Sequence, residues 1–340
     1  MLKNLLLHKF KLSLKISLAA RLISSLLFIS LHPSLAYAQT PVMQTPVVVV
    51  AVIDEGVYSK HPEFKNSMWV NSKEISGNNF DDDNNGFTDD IEGWNFLDSN
   101  NNLSPKGGHG TKLSGLIAGS AQIMPLIACS ETLGCSQQAI INAIYYAVDN
   151  GASVINLSLG DTSGYKTAYN DAVTYAFERN VVIVASSGSA SVGHSLSLEP
   201  MSPICNDNGK NMVLGVGTID DKGNRPAWAN YGGCIDVTAK GTNVYTTFNP
   251  DFSGGKLYGT IEGNSFATAF VSGEVAKLMA YDNTLSAADV ISRIHKNASG
   301  KNLIINLDAA KKNLAARPKV LGASISTKPI VSKKVTLTIR

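Results

Sequence analysis

Short, wholly apolar segments rich in β-branched residues alternate along this chain with amphipathic segments of helical spacing. Residues 47–53 read Val-Val-Val-Val-Ala-Val-Ile and residues 181–185 read Val-Val-Ile-Val-Ala, without the polar alternation of a strand that has one face in water. Between them, residues 137–150 place Ile140 and Ile144 on one helical face. Strands buried on both faces and joined by helices predict an α/β fold, with a mostly parallel sheet covered by helices on both faces.

The same patterns predict the remaining elements: strands at 123–128, 153–157, 212–216 and 235–237, and helices at 165–179, 263–279 and 287–296. A chain of 340 residues, 44% of them hydrophobic, can bury one large core. We therefore assign residues 47–317 to a single domain. Residues 318–340 are rich in Ser, Thr, Lys and Val, and we interpret them as a tail or an added edge strand.

The first 38 residues have the composition of a secretory signal peptide. Basic residues precede an apolar stretch at 22–31, and Ala36-Tyr37-Ala38 is typical of a cleavage site. An uncleaved membrane anchor is the alternative, but His32 and Pro33 interrupt the apolar run before it could cross a bilayer. The sequence thus predicts a secreted or periplasmic protein, with residues 39–46 as a short segment before the first strand.

Cleavage after residue 38 would remove five basic residues and no acidic ones, so the net charge would change from +2 to −3. A mildly acidic protein has no electrostatic basis for binding nucleic acid or an anionic lipid surface. No later segment is long and apolar enough to cross a membrane. We expect a monomer that contacts neither nucleic acid nor, after cleavage, a membrane.

Four cysteines remain in a chain addressed to an oxidising compartment: Cys129, Cys135, Cys205 and Cys234. An even count fits two disulfides, which allow three connectivities. We favour Cys129–Cys135, which closes a short loop, and Cys205–Cys234, which ties two loops together. Zinc binding is the alternative, but no Cys-x-x-Cys pair or neighbouring histidine supports it.

Ser265 lies where an apolar helical segment begins. Free N–H groups and the positive end of the helix dipole favour a developing negative charge there, as a nucleophilic serine requires. An N-capping serine occupies the same place, and on this segment alone the cap is favoured. Two other residues favour the nucleophile over the cap. Asp54 ends the first strand, and His109, between two glycines, opens a helix. Together the three supply a nucleophile, a base and an orienting carboxylate.

The local sequences around these residues resemble the three signatures of the subtilisin-like serine proteases. They read Val52-Ile53-Asp54-x-Gly56, His109-Gly110-Thr111-x-x-x-Gly115 and Gly263-x-Ser265-Phe266-Ala267, in the family's chain order. The resemblance implies a subtilisin-like three-layer fold and hydrolysis of a polypeptide substrate through an acyl-enzyme. Ser265 would attack the carbonyl, His109 would transfer the proton, and Asp54 would orient the imidazole. By the same resemblance, Ser158, Leu159 and Gly160 would pair with the substrate backbone.

The main departures from the family pattern concern the oxyanion hole. Ser189 follows Gly188 where the family has the asparagine that donates to the oxyanion. Asn264 replaces the threonine expected before the nucleophile, and its amide is a second candidate donor. Only residues 39–46 separate the predicted cleavage site from the first strand, so the family's long pro-segment has no counterpart in this predicted organisation.

These features lead to two hypotheses for function. The first is a secreted serine endopeptidase whose chemistry is slowed by Ser189. The alternative is a catalytically impaired relative that acts as a secreted peptide-binding or structural protein. An esterase of the α/β-hydrolase fold would need the chain order Ser, Asp, His, which this chain does not have.

Residues 81–92 match the calcium-loop pattern D-x-D-x-N-G-x5-E. The predicted ligands are Asp81, Asp83, Asn85, the carbonyl of Phe87, Asp89 and Glu92. The flanking segments are not helical in pattern, so this is not a complete EF-hand. A solvated acidic turn is the alternative, but five aspartates this close repel one another without a counter-ion. We therefore predict one structural Ca²⁺.

Overall fold

A sheet of seven parallel strands lies at the centre of the computed structural model, which describes residues 47–160, 165–207, 209–312 and 314. The predicted signal peptide at 1–38, the segment 39–46 and the tail at 318–340 lie outside these residues. In chain order, the strands are β1 (Val49–Asp54), β2 (Trp94–Asn95), β3 (Gln122–Ile127), β4 (Val154–Leu157), β5 (Val182–Ser186), β6 (Val213–Ile219) and β7 (Val237–Lys240).

The strands lie in the order β2–β3–β1–β4–β5–β6–β7, and every neighbouring pair is parallel. The chain extends the sheet to one side of β1 and then, from β4 onward, to the other. The order of strands therefore reverses between β1 and β4, and in open α/β sheets sites form beyond the carboxyl ends of the strands at such a reversal. Asp54 ends β1 there, and Ser158 directly follows β4.

In the part of the chain that the structure describes, six α-helices cover the two faces: α1 (His109–Ile117), α2 (Gln137–Asp149), α3 (Asn170–Glu178), α4 (Asn264–Tyr281), α5 (Ala287–Asn297) and α6 (Leu307–Lys311). Alternate residues of β1 point to opposite faces, as in any strand. Ala51 and Ile53 belong to a core with α2 and α3, whereas Val50 and Val52 belong to a core with α1, α4, α5 and α6. The predicted α/β fold, with helices on both faces of a parallel sheet, is confirmed.

Some elements differ from the prediction. The helix predicted at 165–179 begins at Asn170. The Lys166 N–H donates to Ser202 Oγ at 2.8 Å, which holds that residue outside the helix, and Thr167–Tyr169 form a 3₁₀ helix. The strand predicted at 235–237 is β7, at 237–240. Two unpredicted antiparallel hairpins pair Cys129–Ser130 with Gly134–Cys135, and Val244–Thr247 with Tyr258–Ile261. Their strands are too short or too polar to stand out by periodicity.

Both favoured disulfides are present. Cys129–Cys135 closes the first hairpin, and Cys205–Cys234 joins two segments that lie 29 residues apart in the chain. Among the residues described, no helix combines the length and the apolarity needed to span a membrane.

Candidate active site

Asp54 ends β1 and is almost completely buried, with 2% of its surface exposed. A carboxylate removed from water needs hydrogen-bond donors. The backbone N–H of Glu55 donates to Oδ1 at 2.8 Å, and Nδ1 of His109 lies 2.9 Å from Oδ2 and 3.0 Å from Oδ1. Because Nδ1 donates to the carboxylate, Nε2 of the neutral imidazole is the nitrogen that can accept a proton.

The first turn of α1 brings the imidazole to this carboxylate, and Gly110 permits the approach. A Cβ at position 110 would lie 2.3 Å from the carbonyl oxygen of Gly56 and 3.2 Å from Oδ1 of Asp54. Any side chain there would push α1 away from the end of β1. The glycine that follows His109 is thus required by the contact between the helix and the strand.

Glu55 is a second carboxylate at this turn that the sequence reasoning missed. Its Oε2 accepts a hydrogen bond from the backbone N–H of His109 at 3.0 Å, so it caps the helix that carries the imidazole. Burial raises the pKa of Glu55, the hydrogen bond from His109 opposes the rise, and the charge of Asp54 adds to it. The available signal was an acidic residue directly after Asp54.

The pKa of His109 reflects opposing influences. Burial disfavours the protonated imidazole, but the charge and hydrogen bond of Asp54, together with the charge of Glu55, outweigh burial and raise the pKa of His109 above its usual value. The positive charge of Lys112, one turn along α1, acts in the opposite direction. The ring therefore becomes a neutral base only at a pH above that of an ordinary histidine.

Ser265 is the second residue of α4, whose N-cap is Gly263. Its hydroxyl donates to the carbonyl oxygen of Ser158 at 3.1 Å, whereas a capping serine would accept from a backbone N–H. Among the described hydrogen bonds, this hydroxyl is directed to Ser158 and not to His109, whose ring lies beside Phe266 with centroids 5.8 Å apart. Hydrogen bonds between catalytic groups are often long in free enzymes and tighten when the substrate binds.

Ser158 is held by a chain of buried hydrogen bonds. Its Oγ donates to the carbonyl of Ser265 at 2.9 Å and accepts from Nδ2 of Asn156 at 3.0 Å. Asn156, fully buried in β4, also accepts from Oγ of Ser272 in α4 at 2.9 Å. The sequence reasoning missed Ser272, because its partner Asn156 is 116 residues away in the chain. Beyond Ser158, the predicted substrate-binding residues Leu159 and Gly160 are half-buried.

The amide of Asn264 points into the interior. Only 2% of the residue is exposed. Its Nδ2 donates to Oγ of Ser187 at 2.6 Å and to Oγ of Ser186 at 3.1 Å, and its Oδ1 accepts from Oγ1 of Thr218. These bonds use both amide hydrogens, so Asn264 has no donor left for an oxyanion. We correct that prediction and assign Asn264 to the contact of α4 with β5 and β6.

Ser189 has a different environment. It is exposed, follows Gly188, and pairs through an isolated bridge with Ala229. Its neighbour Ser187 is tied to Asn264, the residue before Ser265, which keeps this segment beside the start of α4. Of the two predicted donors, only Ser189 has an exposed side chain.

Three carboxylates gather in the acidic loop, and one of them was not predicted. Oxygen atoms of Glu74, Asp81 and Asp83 lie within 4.8 Å of one another. Glu74 is buried and comes before the loop that matched the calcium pattern. A donor set made only of carboxylate oxygens suits a hard cation, so this cluster could hold a metal ion.

The other predicted ligands are placed differently. Asp89 accepts from the backbone N–H groups of Gly77 at 2.7 Å and Asn79 at 3.0 Å. Asn85 donates to Asp90 at 2.9 Å, and its Oδ1 accepts from the N–H of Phe87 at 2.8 Å. Glu92 is exposed and lies outside the cluster. Of the predicted ligands, Asp81 and Asp83 belong to the described carboxylate cluster, which they form with Glu74.

A buried contact fixes this loop to α2. Asp90 is fully buried and accepts from the Tyr146 hydroxyl at 2.5 Å and from Nδ2 of Asn71 at 2.9 Å. Burial and the hydrogen bond to Asp90 raise the pKa of Tyr146. The ring of Phe87 packs edge-on against Tyr146, with centroids 4.9 Å apart. The loop is thus part of the packed structure and not a loose surface turn.

Comparison with known proteins gives consistent matches. The subtilase family model matches residues 46–321. Thermitase of Thermoactinomyces vulgaris is 29% identical over 262 residues, covering 73% of this chain and 80% of that protein. Subtilisin DY of Bacillus licheniformis is 29% identical over 284 residues, covering 77% and 90%.

Solved structures of subtilisin-like and related proteases also match this chain. A cold-adapted subtilisin-like serine proteinase matches with a TM-score of 0.59 and 25% identity, over 75% of this chain and 83% of that one. A lanthipeptide protease matches with a TM-score of 0.62 and 25% identity, over 79% and 89%.

The negative charge of Glu55 should have a measurable effect on the pKa of the His109 imidazole. In Glu55→Gln the amide oxygen still accepts the His109 N–H, but the negative charge is gone, so the pKa of His109 should fall. NMR titration of the His109 ring measures this directly. The exposed Glu178→Gln on α3 is the matched control and should leave the pKa unchanged. An unchanged pKa in Glu55→Gln would contradict an electrostatic role for Glu55.

Proposed function

This chain belongs to the subtilase family and is a serine-type endopeptidase, and from this premise we propose that it is a secreted enzyme that cleaves polypeptides with Asp54, His109 and Ser265. The observation that carries the proposal is the bond of 2.9 Å from His109 Nδ1 to the buried Asp54, on the sheet edge where the Ser265 helix begins. Secretion is supported by the composition of residues 1–38 and by the two disulfides.

The proposed reaction uses His109 as both base and acid. Nε2 takes the hydroxyl proton of Ser265 as Oγ attacks the scissile carbonyl, and the resulting imidazolium gives that proton to the leaving amine. Water then hydrolyses the acyl ester on Ser265 by the same two proton transfers. Asp54 keeps the proton on Nδ1 throughout and stabilises the imidazolium. The substrate backbone pairs with Ser158, Leu159 and Gly160, the first of which is hydrogen-bonded to the nucleophile.

We propose that the oxyanion of the tetrahedral intermediate is stabilised by Ser189 together with backbone N–H groups at the start of α4. Support comes from the exposure of Ser189 and from the internal bonds that occupy the amide of Asn264. A serine hydroxyl has a shorter reach than an asparagine amide. The hydrogen bond to the oxyanion is then weaker, and catalysis is slower than with asparagine.

We also propose that the acidic cluster binds one Ca²⁺ through Glu74, Asp81 and Asp83. All three offer carboxylate oxygens, the ligands that this cation prefers. Glu74 is already positioned, because its carboxylate accepts from the N–H groups of Asp83 and Asp89, each at 3.0 Å. When bound, the ion would neutralise the repulsion between these carboxylates and hold the loop against α2.

A fluorophosphonate probe tests the proposed nucleophile. The exported protein should become covalently labelled at Ser265, because such probes react with serines activated by a base. Mass spectrometry locates the label and should also show a chain that begins at Gln39. Ser265→Ala should not be labelled, and Ser299→Ala, at an exposed serine outside the site, should retain the label. A folded protein without a label at Ser265 would instead favour the catalytically impaired relative.

Substitutions at position 189 test the oxyanion donor. Ser189→Asn should raise kcat by at least about tenfold with little change in KM, since loss of such an amide donor costs about 10²–10³ in kcat. Ser189→Ala should lower kcat because the hydroxyl is removed. Steady-state kinetics on one peptide substrate compares the three proteins. Equal rates for serine and alanine would show that the Ser189 side chain does not contribute.

Paired substitutions distinguish the two possible ligand sets of the metal. Glu74→Gln should weaken Ca²⁺ binding in calorimetric titration and reduce the rise in Tm that calcium produces. At 100 times Kd, a ligand adds about 2.7 kcal/mol to the free energy of unfolding, so the difference is measurable. Glu92→Gln should bind as the unaltered protein does. The reverse pattern would restore the ligand set inferred from the sequence.

A further inference from the structure

We propose that Met201 fills the space that would receive the substrate side chain on the acyl side of the scissile bond, and that this enzyme therefore cleaves after small, uncharged residues. This inference rests on the proposed function, because it takes Ser265 as the nucleophile and residues 158–160 as the segment that pairs with substrate. It goes further by naming the residue that selects the substrate.

Two segments flank the nucleophile and define that space. The carbonyl oxygen of Ser158 lies 3.1 Å from Oγ of Ser265, and Oγ of Ser187 lies 2.6 Å from the amide of Asn264. A peptide that pairs with residues 158–160 and presents its scissile carbonyl to Ser265 and Ser189 must direct the adjoining side chain between these two segments. Gly160 and Gly188 are the residues at which these two segments face each other.

Met201 stands between the two glycines. A Cβ at Gly160 would lie 2.9 Å from Cε of Met201, and a Cβ at Gly188 would lie 3.2 Å from the same atom. One methyl group therefore contacts both walls, in the place where the end of a large substrate side chain would insert. Since Met201 is itself 95% buried, with 5% of its surface exposed, this methyl is packed and not loosely projecting.

Methionine is flexible, so its thioether must be held in place if it is to narrow the space. Nδ2 of Asn230 lies 3.5 Å from Sδ of Met201 and donates to the carbonyl of Ser187 at 2.9 Å. The backbone is fixed as well, because the Met201 carbonyl accepts from the N–H of Cys205 at 3.0 Å, and Cys205 is bonded to Cys234. Met201 is thus held at its backbone and its sulfur.

The chemistry of the walls sets the class of substrate. Among the residues that the structure describes, the atoms nearest to the two glycines belong to the Met201 thioether, the Asn230 amide and the Ser202 carbonyl, and none of these groups is charged. A charged substrate side chain would lose water without gaining a partner. A small residue such as alanine loses little and fits beside the methyl group, whereas a phenylalanine ring would have to displace it.

Two peptide p-nitroanilides that differ only in the last residue, alanine or phenylalanine, test the inference. The unaltered enzyme should have a kcat/KM at least about tenfold higher for alanine, which is within the discrimination that a steric pocket can supply. Met201→Ala should open the space and raise kcat/KM for the phenylalanine substrate by about tenfold or more. The ratio of the two substrates should therefore fall or reverse.

Met212→Ala is the matched control, because Met212 is a buried methionine of the same core that is remote from both glycines. It should lower Tm and leave the substrate ratio unchanged. A preference of the unaltered enzyme for phenylalanine would overturn the inference without any variant. An unchanged ratio in Met201→Ala would overturn it as well. In both cases labelling of Ser265 by fluorophosphonate would leave the proposed function intact, whereas no labelling and no hydrolysis would overturn both.

Discussion

The burial of the Asp54 carboxylate is the constraint on which the rest of the site depends. A charge removed from water is tolerated only where donors surround it, and two of its donors come from the turn after β1 and from α1. The position at which α1 begins is therefore fixed by electrostatics as much as by packing. Gly110 allows the helix to approach, and Glu55 satisfies the first free N–H of that helix. The side chain that bears the proton is thus oriented before any substrate arrives.

The unusual residues around the nucleophile form a connected set. Asn264 departs from the family pattern, and its amide donates to Ser186 and Ser187 in one buried network. A buried amide without acceptors would cost about 1–3 kcal/mol, and the two serines supply the acceptors. The departure at Asn264 is thus accommodated by its own polar network, separate from the change at Ser189.

Features with a signal in neighbouring residues could be predicted from the sequence. Features that depend on contacts between residues far apart in the chain could not. Val49–Asp54 and the glycines around His109 carry their signals locally, so the sheet, the helices and the three candidate catalytic residues could be identified from neighbouring residues. Glu74, Ser272 and Met201 meet their partners only through tertiary folding, and no local pattern marks them. Glu74 precedes the acidic loop and meets Asp81 and Asp83 only through the fold, whereas Glu92 lies outside that cluster.

The Cys205–Cys234 disulfide affects how readily the enzyme is digested by other copies of itself. A peptidase is attacked where segments of its chain open transiently, and surface loops open most readily. Closing a loop of this length removes chain entropy from the opened state, worth roughly 3–4 kcal/mol in the loop-closure model. A cut within the loop would still leave both ends covalently attached, with Met201 and Asn230 beside the anchored residues. A single cut by self-digestion between Cys205 and Cys234 would therefore not release a fragment.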